Sequence, residues 1–131
     1  GSVTAHPQFG TATLQRRRLR IDIASCRKET YAAPAAYPKV AAGRLRDDLF
    51  RRDFTVNAMA VALAPGAFGR LIDPFKGMAD LKAKYLRILH PRSFVDDPSR
   101  ILRAVRFAQR YHLTVEPRGD SWRVTSFVKT E

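Results

Sequence analysis

Two short stretches carry the side chains best suited to chemistry. The first is Arg51-Arg52-Asp53-Phe54-Thr55-Val56-Asn57-Ala58. On a helix, Asp53 and Asn57 are four apart and share one face. A carboxylate beside an amide can accept from and donate to sugar hydroxyls. Arg51 and Arg52 add planar donor forks that match a chain of phosphates. The same residues also suit an amphipathic helix whose Arg and Asp side chains form solvated ion pairs of little energetic value.

The second stretch is Asp96-Asp97-Pro98-Ser99-Arg100, continued by Arg103 and Arg106. Asp97 and Arg100, three apart, can present an acceptor and a planar donor side by side, which is how one edge of a nucleobase is read. Arg103 and Arg106 extend that face toward phosphate. The alternative is a helix cap followed by a solvated basic face. Arginines at these spacings repel one another unless an anion lies among them. A third candidate, Asp22, sits between Ile21 and Ile23. Such a residue is either the polar face of a strand or one carboxylate of a metal site. Two-metal phosphoryl chemistry needs several carboxylates converging on cations about 3.5–4 Å apart, so Asp22 alone does not suffice.

The elements that must position these groups follow from periodicity. Residues 11–15 and 19–24 read as strands around the turn Arg16-Arg17-Arg18, with Leu19, Ile21 and Ile23 on one face. Residues 28–43, with Pro34, Pro38 and Gly43, read as an irregular loop. Asp47 or Asp48 is expected to cap a helix over about 48–58. A buried strand follows at 58–63, then a turn at Pro65-Gly66, a return strand at 69–72, a short helix at 79–85 and an extended segment at 86–89. Asp96 or Asp97 caps the clearest helix, 98–111, with Pro98 in its first turn and Ile101, Leu102, Val105, Ala108 and Tyr111 as its apolar stripe. A boundary between an α/β part and an all-helical part is expected near residues 74–95.

Composition narrows the classes of function. The chain has 131 residues, 45% of them hydrophobic, which suits one domain or parts of two and argues against disorder throughout. Lys and Arg number 24 against 12 Asp and Glu, a formal charge of +12, which points to a phosphate or nucleic-acid partner. Cys26 is the single cysteine, so no internal disulfide forms, in keeping with a reducing, cytoplasmic setting. No apolar run approaches the roughly 20 residues of a membrane span, and no membrane partner is expected. His6, His90 and His112 show no metal-ligand spacing. No Ser/His/Asp arrangement or Walker sequence is present.

Five stretches in order resemble one family: residues 6–12 (HPQFGTA), 21–24 (IDIA), 48–58 (DLFRRDFTVNA), 72–77 (IDPFKG) with Asp80-Leu81, and 96–100 (DDPSR) through 106–108 (RFA). Together they resemble the class II nucleotidyltransferases, the bacterial CCA-adding enzymes and poly(A) polymerases. The resemblance implies an α/β (α+β) fold: a partial polymerase-β-type head with a mixed sheet over residues 1–89, then the start of a helical neck over 90–131. It implies transfer of CMP or AMP from CTP or ATP onto an RNA 3′ end, most naturally that of tRNA, with Mg²⁺. By that resemblance Arg51, Arg52, Asp53 and Asn57 bind triphosphate and ribose. Asp97 and Arg100 read the base, Arg103 and Arg106 support the nucleotide, and Asp22 is a catalytic, metal-binding carboxylate. The family's metal-binding Asp-x-Asp segment should precede Val3 and is not in the sequence. The chain alone is therefore expected to be inactive, with a non-catalytic RNA- or nucleotide-binding module as the alternative. Residues 118–131 do not resemble the next neck helix and are expected to be a disordered or frame-altered tail.

Overall fold

The structure is a computed structural model that describes residues 1–116; the expected tail at 118–131 lies outside the described residues. The fold is α+β, with its strands in small separate sheets. Strands β1 (Ser2–His6), β2 (Thr11–Arg16) and β3 (Leu19–Ala24) form an antiparallel sheet with β2 in the centre. Val3, Leu14 and Ile21 stand opposite one another across it. The strand expected at 19–24 is present, but all six of its residues are exposed, Leu19, Ile21 and Ile23 included.

The segment read as an irregular loop instead holds a hairpin. β4 (Arg27–Thr30) pairs antiparallel with β5 (Lys39–Ala42), in the register Arg27↔Ala42 to Thr30↔Lys39. Its two prolines fall at 34 and 38, between the strands, where no ladder hydrogen bond is lost. The connecting loop is pinned by the Ala35 N–H donating to the Val95 carbonyl at 3.0 Å.

The helix expected over 48–58 is also broken. α1 covers only Leu45–Phe50, and a 3-10 turn follows at Thr55–Asn57. Phe54 lies between them in extended conformation, bridged antiparallel to Ile88, with its ring fully buried. Burial of a phenyl ring outweighs the few tenths of a kcal/mol of helix propensity at stake, and Thr55 and Val56 are poor helix formers. The two acids expected as caps lie inside the first turn of α1, whose N-cap is Arg44. Asp47 accepts the Arg44 N–H at 2.8 Å and closes the first turn of α1, while Asp48 turns inward.

Short strands β6 (Ala60–Val61) and β7 (Leu71–Ile72) pair antiparallel. α2 (Gly77–Ala83) begins where the Asp73 carboxylate accepts the N–H groups of Gly77 and Met78, at 2.7 and 2.9 Å. β8 (Tyr85–Arg87) pairs parallel with β9 (Thr114–Glu116), and between them run α3 (Ser93–Asp96) and α4 (Ser99–Tyr111). One core cluster holds Phe54, Leu86, Ile88, Phe94, Ala104 and Leu113. It therefore draws on both sides of the head–neck boundary expected near residue 89.

α4 faces the core differently from its apolar pattern. The inward residues are Arg100 and Ala104, with Phe107 packed on the core, whereas Leu102 is 75% exposed. Ala104 lets the helix approach closely, and Arg100 can be buried because its N–H groups find partners there (below). A second structural centre is Thr55, which donates to Asp80 at 2.7 Å while Arg87 donates to the other Asp80 oxygen at 2.6 Å. Gly77 lies against this point, and a Cβ there would collide with the Thr55 carbonyl. Gly77→Ala is expected to destabilise the fold by about 1–3 kcal/mol, the usual cost of overpacking. Urea denaturation read by circular dichroism measures this.

Candidate functional site: a cleft between the 51–57 segment and α4

Most of the residues singled out by spacing line one cavity of about 910 Å³, within the usual size range of ligand pockets. Its walls include Arg51, Arg52, Asp53, Asn57, Asp97, Arg100 and Arg103. The 51–57 segment supplies one wall and the start of α4 the other. Arg106 is exposed on α4 and does not line the cavity.

Asp53 and Asn57 meet without a continuous helix between them. The Asn57 amide donates to Asp53 Oδ1 at 3.0 Å, and the Phe54 N–H donates to the same oxygen at 2.8 Å. The other oxygen, Oδ2, accepts from Arg103 Nε at 2.9 Å and Nη2 at 2.6 Å. Asp53 is thus buried but fully satisfied, and it ties the first motif to α4. Asn57 gives its N–H to Asp53 and keeps its carbonyl oxygen as an acceptor for a ligand. Arg103, 55% exposed, also lies over the Phe107 ring, 5.8 Å from its centroid.

Arg100 forms the second tie. It is 5% exposed. Nη2 donates to the Arg51 carbonyl at 2.8 Å, and Nη1 donates to the Ser93 hydroxyl and carbonyl at 2.9 and 3.3 Å. Its Nε lies 3.6 Å from Asp97 Oδ2. Asp97 in turn accepts the Ser99 N–H at 3.0 Å, just ahead of α4, whose N-cap is Pro98 and not the expected Asp96 or Asp97. Asp97 and Arg100 therefore do lie side by side, as their spacing suggested.

Arg51 and Arg52 differ in role. Arg51 faces inward and bridges Glu29 and Asp48, at 3.4 and 3.3 Å, while Arg52 is 44% exposed and touches Asp48 at 3.4 Å. Four arginines and four acids (Glu29, Asp53, Asp96, Asp97) line the cavity, so its attraction for anions comes from the half-exposed Arg52 and Arg103 forks and not from net charge. Sequence reasoning missed the hairpin's share. Glu29, Tyr31 and Tyr37 all line the cavity, and the Tyr31 hydroxyl donates to Glu29 at 3.3 Å. Burial first, and then the Glu29 charge, push the Tyr31 phenol above its ordinary range, which keeps it a neutral donor. No local signal marks these hairpin residues, since residues 27–30 (Arg-Lys-Glu-Thr) carry no apolar alternation.

Asp22 lies apart, outside the cavity lining, on β3, all of whose residues are exposed. It accepts from Thr13 Oγ1 at 2.6 Å and Arg20 Nε at 3.1 Å, and these bonds, Thr13 first, hold its pKa below the ordinary value. Among the described residues no three His, Cys, Asp or Glu side chains converge to hold a metal ion. With its oxygens already paired and no second carboxylate beside it, Asp22 does not fit a Mg²⁺ site on its own.

The profile of the poly A polymerase head domain matches residues 1–87. The chain belongs to that family. It is 53% identical over 109 residues to an A-adding tRNA nucleotidyltransferase of Aquifex aeolicus, across 83% of this chain and 13% of that protein. It is 42% identical over 113 residues to a CC-adding tRNA nucleotidyltransferase of Deinococcus radiodurans, across 86% of this chain and 30% of that one. A solved CCA-adding enzyme in an apo form superposes with a TM-score of 0.84 at 50% identity, over 88% of this chain and 28% of the enzyme. A tRNA nucleotidyltransferase complexed with a primer tRNA and an incoming ATP analogue superposes with a TM-score of 0.72 at 44% identity, over 88% and 31%. The fold is thus the head-domain fold of polymerase-β-type nucleotidyltransferases, and this chain spans under a third of each of these four proteins' length. Among the described residues no helix is long and apolar enough to cross a membrane.

Asp48 joins hairpin, α1 and cavity. Its carboxylate accepts the Arg27 N–H at 2.9 Å and meets Arg51 and Arg52. Burial pushes its pKa up, but the Arg27 amide and the two guanidinia prevail, and the value falls below the ordinary 3.8. A carboxylate depressed on folding stabilises the fold above its unfolded pKa, and that stability is lost as pH falls through the folded-state value. Asp48→Asn is expected to cost about 1–3 kcal/mol near pH 7 and to leave a shallower loss of stability below about pH 4. Urea titrations at the two pH values check both.

Proposed function

We propose that this chain is the nucleotide-selecting part of a template-independent RNA nucleotidyltransferase that adds CMP or AMP to RNA 3′ ends, with tRNA as the acceptor. The observation that carries the proposal is the double tie between the 51–57 segment and α4: Arg103 to Asp53 and Arg100 to the Arg51 carbonyl. These ties leave Asn57, Asp97 and Arg100 lining one cleft, which supports reading Asn57 as the acceptor for the ribose and Asp97 with Arg100 as the base-reading pair. Arg52 and Arg103 would meet the triphosphate as planar, half-exposed forks. Asp53 would act on the ribose through Asn57, because its own oxygens are taken. Arg51 would hold Arg100, and Arg106 would reach only the outer part of a bound nucleotide or the RNA backbone.

In the reaction the RNA 3′ hydroxyl attacks the α-phosphate of ATP or CTP in line and pyrophosphate leaves. The contribution of these residues is to select and orient the nucleotide. Mg²⁺ is the expected cofactor of the complete enzyme, and Asp22 alone does not hold it. The part these residues play in the reaction is selection of the nucleotide. The A-adding and CC-adding relatives favour tRNA processing over general polyadenylation, and with it a cytoplasmic place of work. The head–neck division near residue 89 would then run beside the nucleotide, which explains why both sides share a core and a cleft.

The test is incorporation of radiolabelled ATP and CTP by the full-length gene product into a tRNA ending before its CCA. Transfer is expected, with kcat/KM reduced about 10- to 100-fold by Asn57→Ala, the loss of one hydrogen bond made at the ribose. Nucleotide binding without any transfer would replace this reading with a non-catalytic binding module.

A further inference from the structure

The pocket that holds Arg100 contains a residue that no motif marks. Ser93 opens α3 and is completely buried. Its hydroxyl and its carbonyl both accept from Arg100 Nη1, at 2.9 and 3.3 Å. The same carbonyl accepts the backbone N–H of Asp97 at 3.2 Å. One residue therefore grips both members of the base-reading pair, Asp97 through its backbone and Arg100 through its guanidinium.

A guanidinium has five N–H donors fixed in one plane. With Nη1 turned to Ser93 and one Nη2 hydrogen given to the Arg51 carbonyl, the Nε–H and the other Nη2 hydrogen remain. Nε is the atom beside Asp97. We propose that Ser93 is a positioning residue for base selection: by taking Nη1 it fixes the guanidinium plane and decides which N–H edge Arg100 presents, together with Asp97, to the incoming nucleobase. This rests on the reading that Asp97 and Arg100 contact the base. Without the hydroxyl, Nη1 keeps only the longer bond to the carbonyl. The plane can then tilt about the line joining that contact to the Arg51 carbonyl, and a two-point hydrogen-bond pattern tolerates little tilt.

The experiment measures kcat/KM of the full-length gene product for ATP, CTP, GTP and UTP, with tripolyphosphate as a competitor that carries no base. The variants are Ser93→Ala, Ser93→Cys, Arg100→Ala and the double change Ser93→Ala with Arg100→Ala. Ser93→Ala is expected to reduce discrimination in favour of the nucleotide normally used by about 10-fold, the scale of one hydrogen bond to a charged group. The loss is expected mainly in KM, with tripolyphosphate inhibition unchanged. Ser93→Cys nearly preserves volume and offers only a weak acceptor. It is expected to act in the same direction, and it covers the case in which the alanine variant does not fold. On the Arg100→Ala background, Ser93→Ala is expected to add nothing. If Arg100→Ala abolishes discrimination while both Ser93 variants keep it, or if they weaken all four nucleotides and tripolyphosphate alike, the positioning role is wrong and base reading stands. If Arg100→Ala itself leaves discrimination intact, the reading beneath the proposal is wrong.

Discussion

The buried guanidinium of Arg100 is the interaction on which the cleft depends. A charge that deep is tolerated only when its N–H groups are matched, and its partners here are the hydroxyl and carbonyl of Ser93 and the carbonyl of Arg51. These partners lie in two other pieces of chain, α3 and the end of α1, while Arg100 itself belongs to α4. Satisfying one side chain therefore sets the relative position of all three. The Arg103–Asp53 pair, half in solvent, closes the same gap a turn further along α4. Together the two contacts turn a loop and a helix into facing walls.

The acids around the cleft have a common task. Glu29 and Asp48 are buried against Arg27, Arg51 and Arg52, and Asp53 is buried against Arg103. Such networks cost desolvation, and their benefit lies more in fixed geometry than in net stability. An arginine-rich surface would attract RNA without them. With them, the inner arginines are held in place and only the outer forks remain available to phosphate. Under the proposed function, the formal excess of +12 over the whole chain would serve long-range attraction and the cleft recognition.

Much of this was legible in the sequence, and the failures have physical causes. The strand at 19–24 and the helix near 98–111 were readable as elements from their periods, although those periods did not predict which side is buried. Asp53 with Asn57, and Asp97 with Arg100, were correctly paired by spacing, although the first pair meets across a 3-10 turn and not along a helix. The period could not show that Phe54 leaves the helix to bridge Ile88, a partner 34 positions away. The inward face of α4 was misread because Arg100 looks like a surface residue until Ser93 and the Arg51 carbonyl are beside it. The β4–β5 hairpin was hidden by Pro34 and Pro38, which sit in its connection, and with it went Glu29, Tyr31 and Tyr37. No local pattern distinguishes Ser93, since its role exists only through a long-range contact.

The central claim is that one nucleotide touches both walls of the cleft at once. Amide chemical-shift mapping of the ¹⁵N-labelled protein, titrated with ATP and with CTP, tests it most directly. The account predicts that both ligands shift residues 52–57 together with 97–103 at a single affinity, and that the two ligands differ mainly around Asp97 and Arg100. Shifts confined to one wall, or centred on the β1–β3 sheet, would contradict it.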